Sequence, residues 1–321
     1  MAEPSGSASR EAKRPRREVV SLGQYQINQD ASFEAVVASL PQGAWNRSLK
    51  RGLQLEVPGV VIAAAVPQGE LLCQVPAKSH FSRPNCQEIF PEVYAACEDL
   101  PSSDPEKRAE AADALCMALL LLEARCRWQA KPERLAKVPD LWCRSADALL
   151  GLAADLGQHP YVKALNAGQG FAGSAEPDLI AAQSSYVRTV FSCMQEKLSR
   201  QVLPPDLDES LFLLAWLCLL TRRFSGADGS ALVPGVDFFN HAAEPNASSD
   251  WDEESGAVVV RALRELRAGE EVFICYGILS NPLLFRTYGF TLPPKAEPAW
   301  TCTFSQEELV AVASSEEIDD L

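Results

Sequence analysis

Three short segments in the last third of the chain hold most of the side chains suited to chemistry. They are Asn240-His241-Ala242-Ala243-Glu244-Pro245-Asn246, Gly269-Glu270-Glu271-Val272-Phe273-Ile274-Cys275-Tyr276-Gly277 and Tyr288-Gly289-Phe290. Thr221-Arg222-Arg223-Phe224 precedes them, and Glu56-Val57-Pro58-Gly59-Val60 lies near the start. The groups on offer are amides, phenols, aromatic faces and guanidinium ions. A Cys-His-acid cluster is hard to build, because the sequence has only 3 histidines: His80, His159 and His241. With an unperturbed pKa near 10, Tyr276 is better suited to positioning and electrostatic stabilisation than to acting as a strong base. Aromatic faces such as that of Phe290 attract cations. Each piece also has an ordinary structural explanation: an asparagine turn, a tyrosine packed at a strand end, arginines complementing a helix dipole. Their information lies in the combination and its order.

The elements that must position these groups follow a strand–helix–strand order. A short helix is expected over Phe33–Leu40, ended by Pro41 and Gly43. Leu53, Leu55 and Val57 alternate with polar residues, a Pro58-Gly59 turn follows, and Val60–Val66 and Leu71–Val75 read as further strands. Asp104 and Pro105 start a long helix reaching about Trp128, with Leu115, Leu119 and Leu122 on one face. Further helices are expected near Ala146–Leu156, Asp178–Leu198 and Asp208–Phe224, then strands at Val258–Arg261 and Val272–Tyr276. This pattern predicts an α+β fold whose β framework is split by a helical insert. At 321 residues with 47% hydrophobic content, the chain can bury a substantial core.

Composition narrows the function classes. The 10 cysteines are scattered singly, without zinc-site spacing, and read as reduced, mostly buried thiols. The longest apolar runs, Leu211–Leu220 and Leu115–Leu122, are far short of the roughly 20 residues that cross a bilayer, so no membrane partner is expected. A net charge of −14 argues against direct nucleic-acid binding and suits the approach of a basic protein segment. Asn246-Ala247-Ser248 reads as a chance match to a glycosylation acceptor. Residues 1–20 read as a disordered tail whose Lys13-Arg14-Pro15-Arg16-Arg17 cluster is a candidate nuclear-localisation patch. Cytoplasmic residence, nuclear residence or both is the expectation. Oligomeric state is not readable.

The five motifs, in this order, resemble the SET-domain protein methyltransferases, and the Tyr276-Gly277…Ser280-Asn281 pattern resembles the split-SET class in particular. That class includes the Rubisco large-subunit and actin-histidine methyltransferases. The resemblance implies S-adenosylmethionine as cofactor, a lysine side chain of a protein as acceptor and no metal. By the same resemblance, Glu56, Pro58, Gly59, Arg222, Asp237, Asn240 and His241 would contact the cofactor. Tyr276 would serve both cofactor and transfer step, and Phe224, Tyr288 and Phe290 would line the substrate channel. The spacing from Gly59 to Glu70 sets the registration of the N-terminal motif. It places Val57 where the family has a glycine, costly if that residue must adopt a positive φ. Ala242 and Ala243 replace a serine and a cysteine. The implied organisation is a tail at 1–20, SET segments at 21–80 and 211–294, a helical insert at 81–210 and a short acidic extension at 295–321. Most of the family's C-terminal substrate-binding domain is expected to be missing, and the family's pseudoknot to be present. Two other readings stay open: a catalytically silent SET-fold interaction module, and a methyltransferase acting on histidine.

Overall fold

Apolar alternation near the N-terminus builds the first antiparallel layer. The computed structural model describes residues 26–27, 30–54, 57–89, 91, 94–95, 114–125, 138–151, 177–197, 207–226 and 229–297. Strand β2 (Leu49–Gln54) pairs with the short β1 (Gln26–Ile27) and with β3 (Val57–Ile62). The expected turn at Pro58-Gly59 is not there. Both residues lie inside β3, opposite Leu53 and Gly52. Val57 opens the same strand, so its backbone is extended and suits a β-branched residue. The cost anticipated for valine therefore does not arise. Glu56 lies outside the described residues.

A second sheet joins β4 (Leu71–Val75), β10 (Val258–Ala262) and β9 (Ala247–Trp251), all antiparallel. A third has the order β5 (Phe81–Ser82), β7 (Gly229–Leu232), β6 (Arg223–Gly226). The last sheet is a parallel pair of two-residue strands, β8 (Asn240–His241) and β11 (Phe273–Ile274). These small sheets, interspersed with helices, form the α+β architecture anticipated from the sequence.

Helices frame the sheets. Ala31–Ser39 is capped by Asp30, which accepts from the N–H groups of Ser32 and Phe33 at 3.0 and 3.1 Å. The helical stretch 114–125 buries Met117, Leu120 and Leu121 as well as Leu115, Leu119 and Leu122, so it is enclosed all round instead of on one face. The expected cap at Asp104 lies outside the described residues. Within the helix Asp140–Gly151, Trp142 stacks on Phe81 at 4.7 Å and donates to the Ser79 carbonyl at 2.9 Å, tying helix to sheet. The helices Pro177–Lys197 and Glu209–Arg222 follow. Asp208 caps the latter through the Leu211 N–H, and Arg223 passes directly into β6. Among the described residues no helix is long and apolar enough to cross a membrane.

Candidate active site

The direct passage from helix to β6 places Arg222 and Phe224 on one wall of a cavity of about 540 Å³. Tyr276, just beyond β11, and Tyr288, at the end of the helix Asn281–Tyr288, line the same cavity. That helix stops at Gly289, whose φ of 81° is the left-handed conformation glycine adopts without strain. The reversal returns Phe290 to within 6.0 Å of the His241 ring, centre to centre. A closed circuit of four rings results: His241–Tyr276 at 5.2 Å, Tyr276–Tyr288 at 4.9 Å, Tyr288–Phe290 at 6.1 Å, and back to His241. Residues spread over some fifty positions of sequence thus meet in one aromatic nest.

Tyr276 is held at both ends. Its N–H donates to His241 Nδ1 at 3.0 Å, and its hydroxyl donates to the Phe239 carbonyl at 2.7 Å. Burial pushes the phenol pKa well above its ordinary value, against the opposing pull of Arg222. The group is therefore a neutral hydroxyl whose single hydrogen is already committed. Its oxygen can offer only lone pairs to anything in the cavity. Because His241 Nδ1 is an acceptor, the neutral ring carries its proton on Nε2, a buried atom without a hydrogen-bond partner. Burial keeps that imidazole below its usual pKa.

Arg222 donates from Nη1 to the Asp237 backbone carbonyl. The Asp237 carboxyl accepts the Gly235 N–H at 2.9 Å; burial raises its pKa to about 6, and Arg222 opposes the rise. Across from this pair, Asn240 Nδ2 donates to the Pro58 carbonyl at 3.0 Å and to Glu271 Oε1 at 2.7 Å. Gly59 lies against the same two side chains. The expected residues thus form two adjoining groups. Arg222, Phe224, Asp237, Tyr276 and Tyr288 line the cavity. Pro58, Gly59 and Asn240 cluster with Glu271, and His241 with Phe290 joins the aromatic side.

Several participants escaped the sequence reading. Trp251 also lines the cavity, donating from its indole to the Ser225 carbonyl at 2.8 Å. Phe239 supplies a carbonyl, a role no side-chain pattern reveals. Glu271 stood within a quoted motif but was not singled out. Asn246 is buried, with its amide donating to the Glu271 carbonyl and accepting from the Phe273 N–H. A buried, fully engaged amide supports reading its glycosylation triplet as chance. Of the described cysteines, Cys73, Cys86, Cys116, Cys143 and Cys218 are buried thiols outside any disulfide, as expected, whereas Cys275 is exposed beside the cavity.

The SET-domain family profile matches residues 58–277, more than half of the chain. This chain belongs to the SET-domain family. Ribosomal lysine N-methyltransferase set11 of Schizosaccharomyces pombe is 33% identical over 94 residues, 27% of this chain and 24% of that protein. Human SET domain-containing protein 4 is 32% identical over 114 residues, 32% of this chain and 26% of that protein. Among solved structures, the SET domain of LSMT bound to methyl-lysine and AdoHcy has a TM-score of 0.61 at 17% identity. That superposition covers 84% of this SET protein and 58% of the solved chain. Rubisco LSMT bound to AdoMet gives a TM-score of 0.58 at 17% identity, over 83% and 57% of the two chains. The matched stretches thus span about a quarter of the curated relatives and less than two thirds of the solved chains. At such identities the structural likeness establishes a shared fold.

Proposed function

We propose that this SET-domain protein is an S-adenosylmethionine-dependent methyltransferase of the split-SET class that modifies a lysine side chain of a protein. The observation that carries the reading is the Tyr276 hydroxyl, neutral and committed to Phe239 within the aromatic nest. The similarity to a ribosomal lysine N-methyltransferase supports the same acceptor.

Asn240 fits a cofactor contact: its Oδ1 is an uncommitted acceptor on a part-buried side chain whose N–H groups are both engaged. Asn240, His241, Gly59 and Arg222 would hold the cofactor. When bound, S-adenosylmethionine supplies an electrophilic methyl group and a positive sulfonium. The chain's residues then have three tasks. The aromatic walls strip water from an incoming lysine, which favours loss of the ammonium proton. The Tyr276 oxygen accepts an N–H of the neutral amine and fixes where its lone pair points. Tyr288 and Phe290 present π faces that tolerate a methylated ammonium better than a bare, strongly hydrated one. The acidic surface favours a basic protein segment as partner. Residence in cytoplasm, nucleus or both belongs to the same proposal, through the cluster at Lys13–Arg17.

The test is transfer of labelled methyl into a proteome extract. The chain should label a lysine-containing protein, and Tyr276→Phe should reduce the rate by on the order of 100-fold while the variant stays folded, with only the modest loss of stability that one missing hydrogen bond brings. Equal labelling by both proteins would remove Tyr276 from the transfer step. Label recovered on histidine would overturn the lysine assignment.

A further inference from the structure

Trp251 brings a second aromatic surface to the cavity, from a different sheet. It sits on β9 two residues after Ser249, so the two side chains share one face of the strand, and both line the cavity. Its ring is fixed by three neighbours. The indole N–H donates to the Ser225 carbonyl at 2.8 Å, the His80 ring stands nearly perpendicular at 5.4 Å, and Gly226 leaves the space the indole fills. A Cβ placed on Gly226 would lie 2.7 Å from the Trp251 Cε2. With its single N–H spent, the side chain has its π system to offer a ligand.

Charge around the cavity is divided along β6. Burial raises the pKa of both phenols, and the charge of Arg222 opposes the rise at Tyr276, that of Arg223 at Tyr288. Among the described residues lining the cavity, these two guanidinium groups face one carboxyl, Asp237. An ammonium is disfavoured there, which suits a lysine that must react as the neutral amine. At the other end of this 4-residue strand, about 10 Å from Arg223, Ser225 and Gly226 lie against Trp251. From Trp251 the chain enters a turn where Asp252, Glu253 and Glu254 are exposed, and residues 247–257 include no lysine or arginine. The Ser255 hydroxyl and N–H, at 2.6 and 2.8 Å, hold the Asp252 carboxyl below its ordinary pKa and so keep it charged. A cation is thus repelled at one end and drawn to the other, where an indole face attracts it more strongly than any other aromatic side chain. We propose that Trp251 is a specificity-determining residue whose indole receives a second cationic side chain, arginine or lysine, of the acceptor segment. This rests on the protein-lysine reading above. The length of β6 puts that residue within about four positions of the lysine that is methylated.

The experiment treats a cell extract with the full chain and S-adenosylmethionine carrying a heavy methyl group, and maps the labelled lysines by mass spectrometry. Wild type should label lysines that have arginine or lysine within about four residues. The best-labelled protein is then remade with that neighbour changed to alanine. For wild type, the exchange should lower kcat/KM about tenfold. Trp251→Leu should use the two acceptors equally well, and Trp251→Phe should fall between. Gly226→Ala, which displaces the indole without removing it, should behave like Trp251→Leu and carries the test if that variant does not fold. The readout is a ratio of two acceptors, so a general loss of activity does not move it. An equal penalty in wild type and the variants would overturn the assignment. Labelled lysines without basic neighbours would overturn it while leaving the methyltransferase reading intact, and no labelled lysine at all would remove that reading as well.

Discussion

Glu271 leaves a signature in stability. Its folded pKa, about 8, lies above the ordinary value of 4.5. The folded form thus holds the proton more tightly than the unfolded chain does. The resulting contribution is complete below about pH 4.5 and is lost as pH rises towards 8. Glu271→Gln has no proton to lose. Denaturant unfolding should show wild type losing on the order of 2 kcal/mol relative to the variant between pH 5 and 8. Parallel pH profiles for the two proteins would show that the carboxyl is ionised throughout. Tyr276, Tyr288 and Arg222 were named as candidates from the order of their motifs, and the structure brings them to one cavity. Glu271 was not legible. Its role comes from burial against a glycine more than two hundred positions away, and nothing in Gly-Glu-Glu distinguishes a buried acid from a solvated one.

Arg51 shows how an element is fastened. Its guanidinium is buried between the rings of Phe33 and Phe238, 5.7 and 4.9 Å from their centres, and donates to the Phe238 carbonyl. Asp30, 3.6 Å away, supplies the counter-charge and also caps the helix Ala31–Ser39. One carboxylate therefore serves a helix end and a buried cation. Asp30→Ala should cost about 2–3 kcal/mol, the sum of a lost cap and a weakened charged contact, whereas Asp30→Asn, which can still cap, should cost about half. Equal losses in urea titrations would show that the cap contributes nothing. Strand limits at Leu71–Val75 and the start of the helix near Asp208 were readable because alternation and helical periodicity are local signals. Pro58-Gly59 was misread for an equally physical reason. The pair usually marks a turn, but here the proline lends its carbonyl to Asn240 and the glycine makes room for Glu271.

At the scale of the whole molecule, one core among the described residues runs from Phe33 through Phe81 and Trp142 to Phe212 and Phe239, so sheets and helices share their apolar contacts. The division into strands, helices and strands was visible from periodicity. The pairing of distant strands was not, since β4 meets β10 and β8 meets β11 through contacts that no local window contains. That pairing dictates an order of events in time. The bond from Asn240 to Pro58 spans 182 residues, and β8 and β11 are parallel ribbons of two residues each, too short to hold before their surroundings exist. Closing such long loops costs entropy before any contact repays it. On dilution from denaturant, tryptophan burial should recover first and capacity to bind S-adenosylhomocysteine in a slower phase. Simultaneous recovery of the two signals in stopped-flow mixing would contradict this order. A chain emerging from synthesis would accordingly spend an interval already collapsed yet unable to take its ligand, and a ligand that captures only the finished site would act as a late clamp on its maturation.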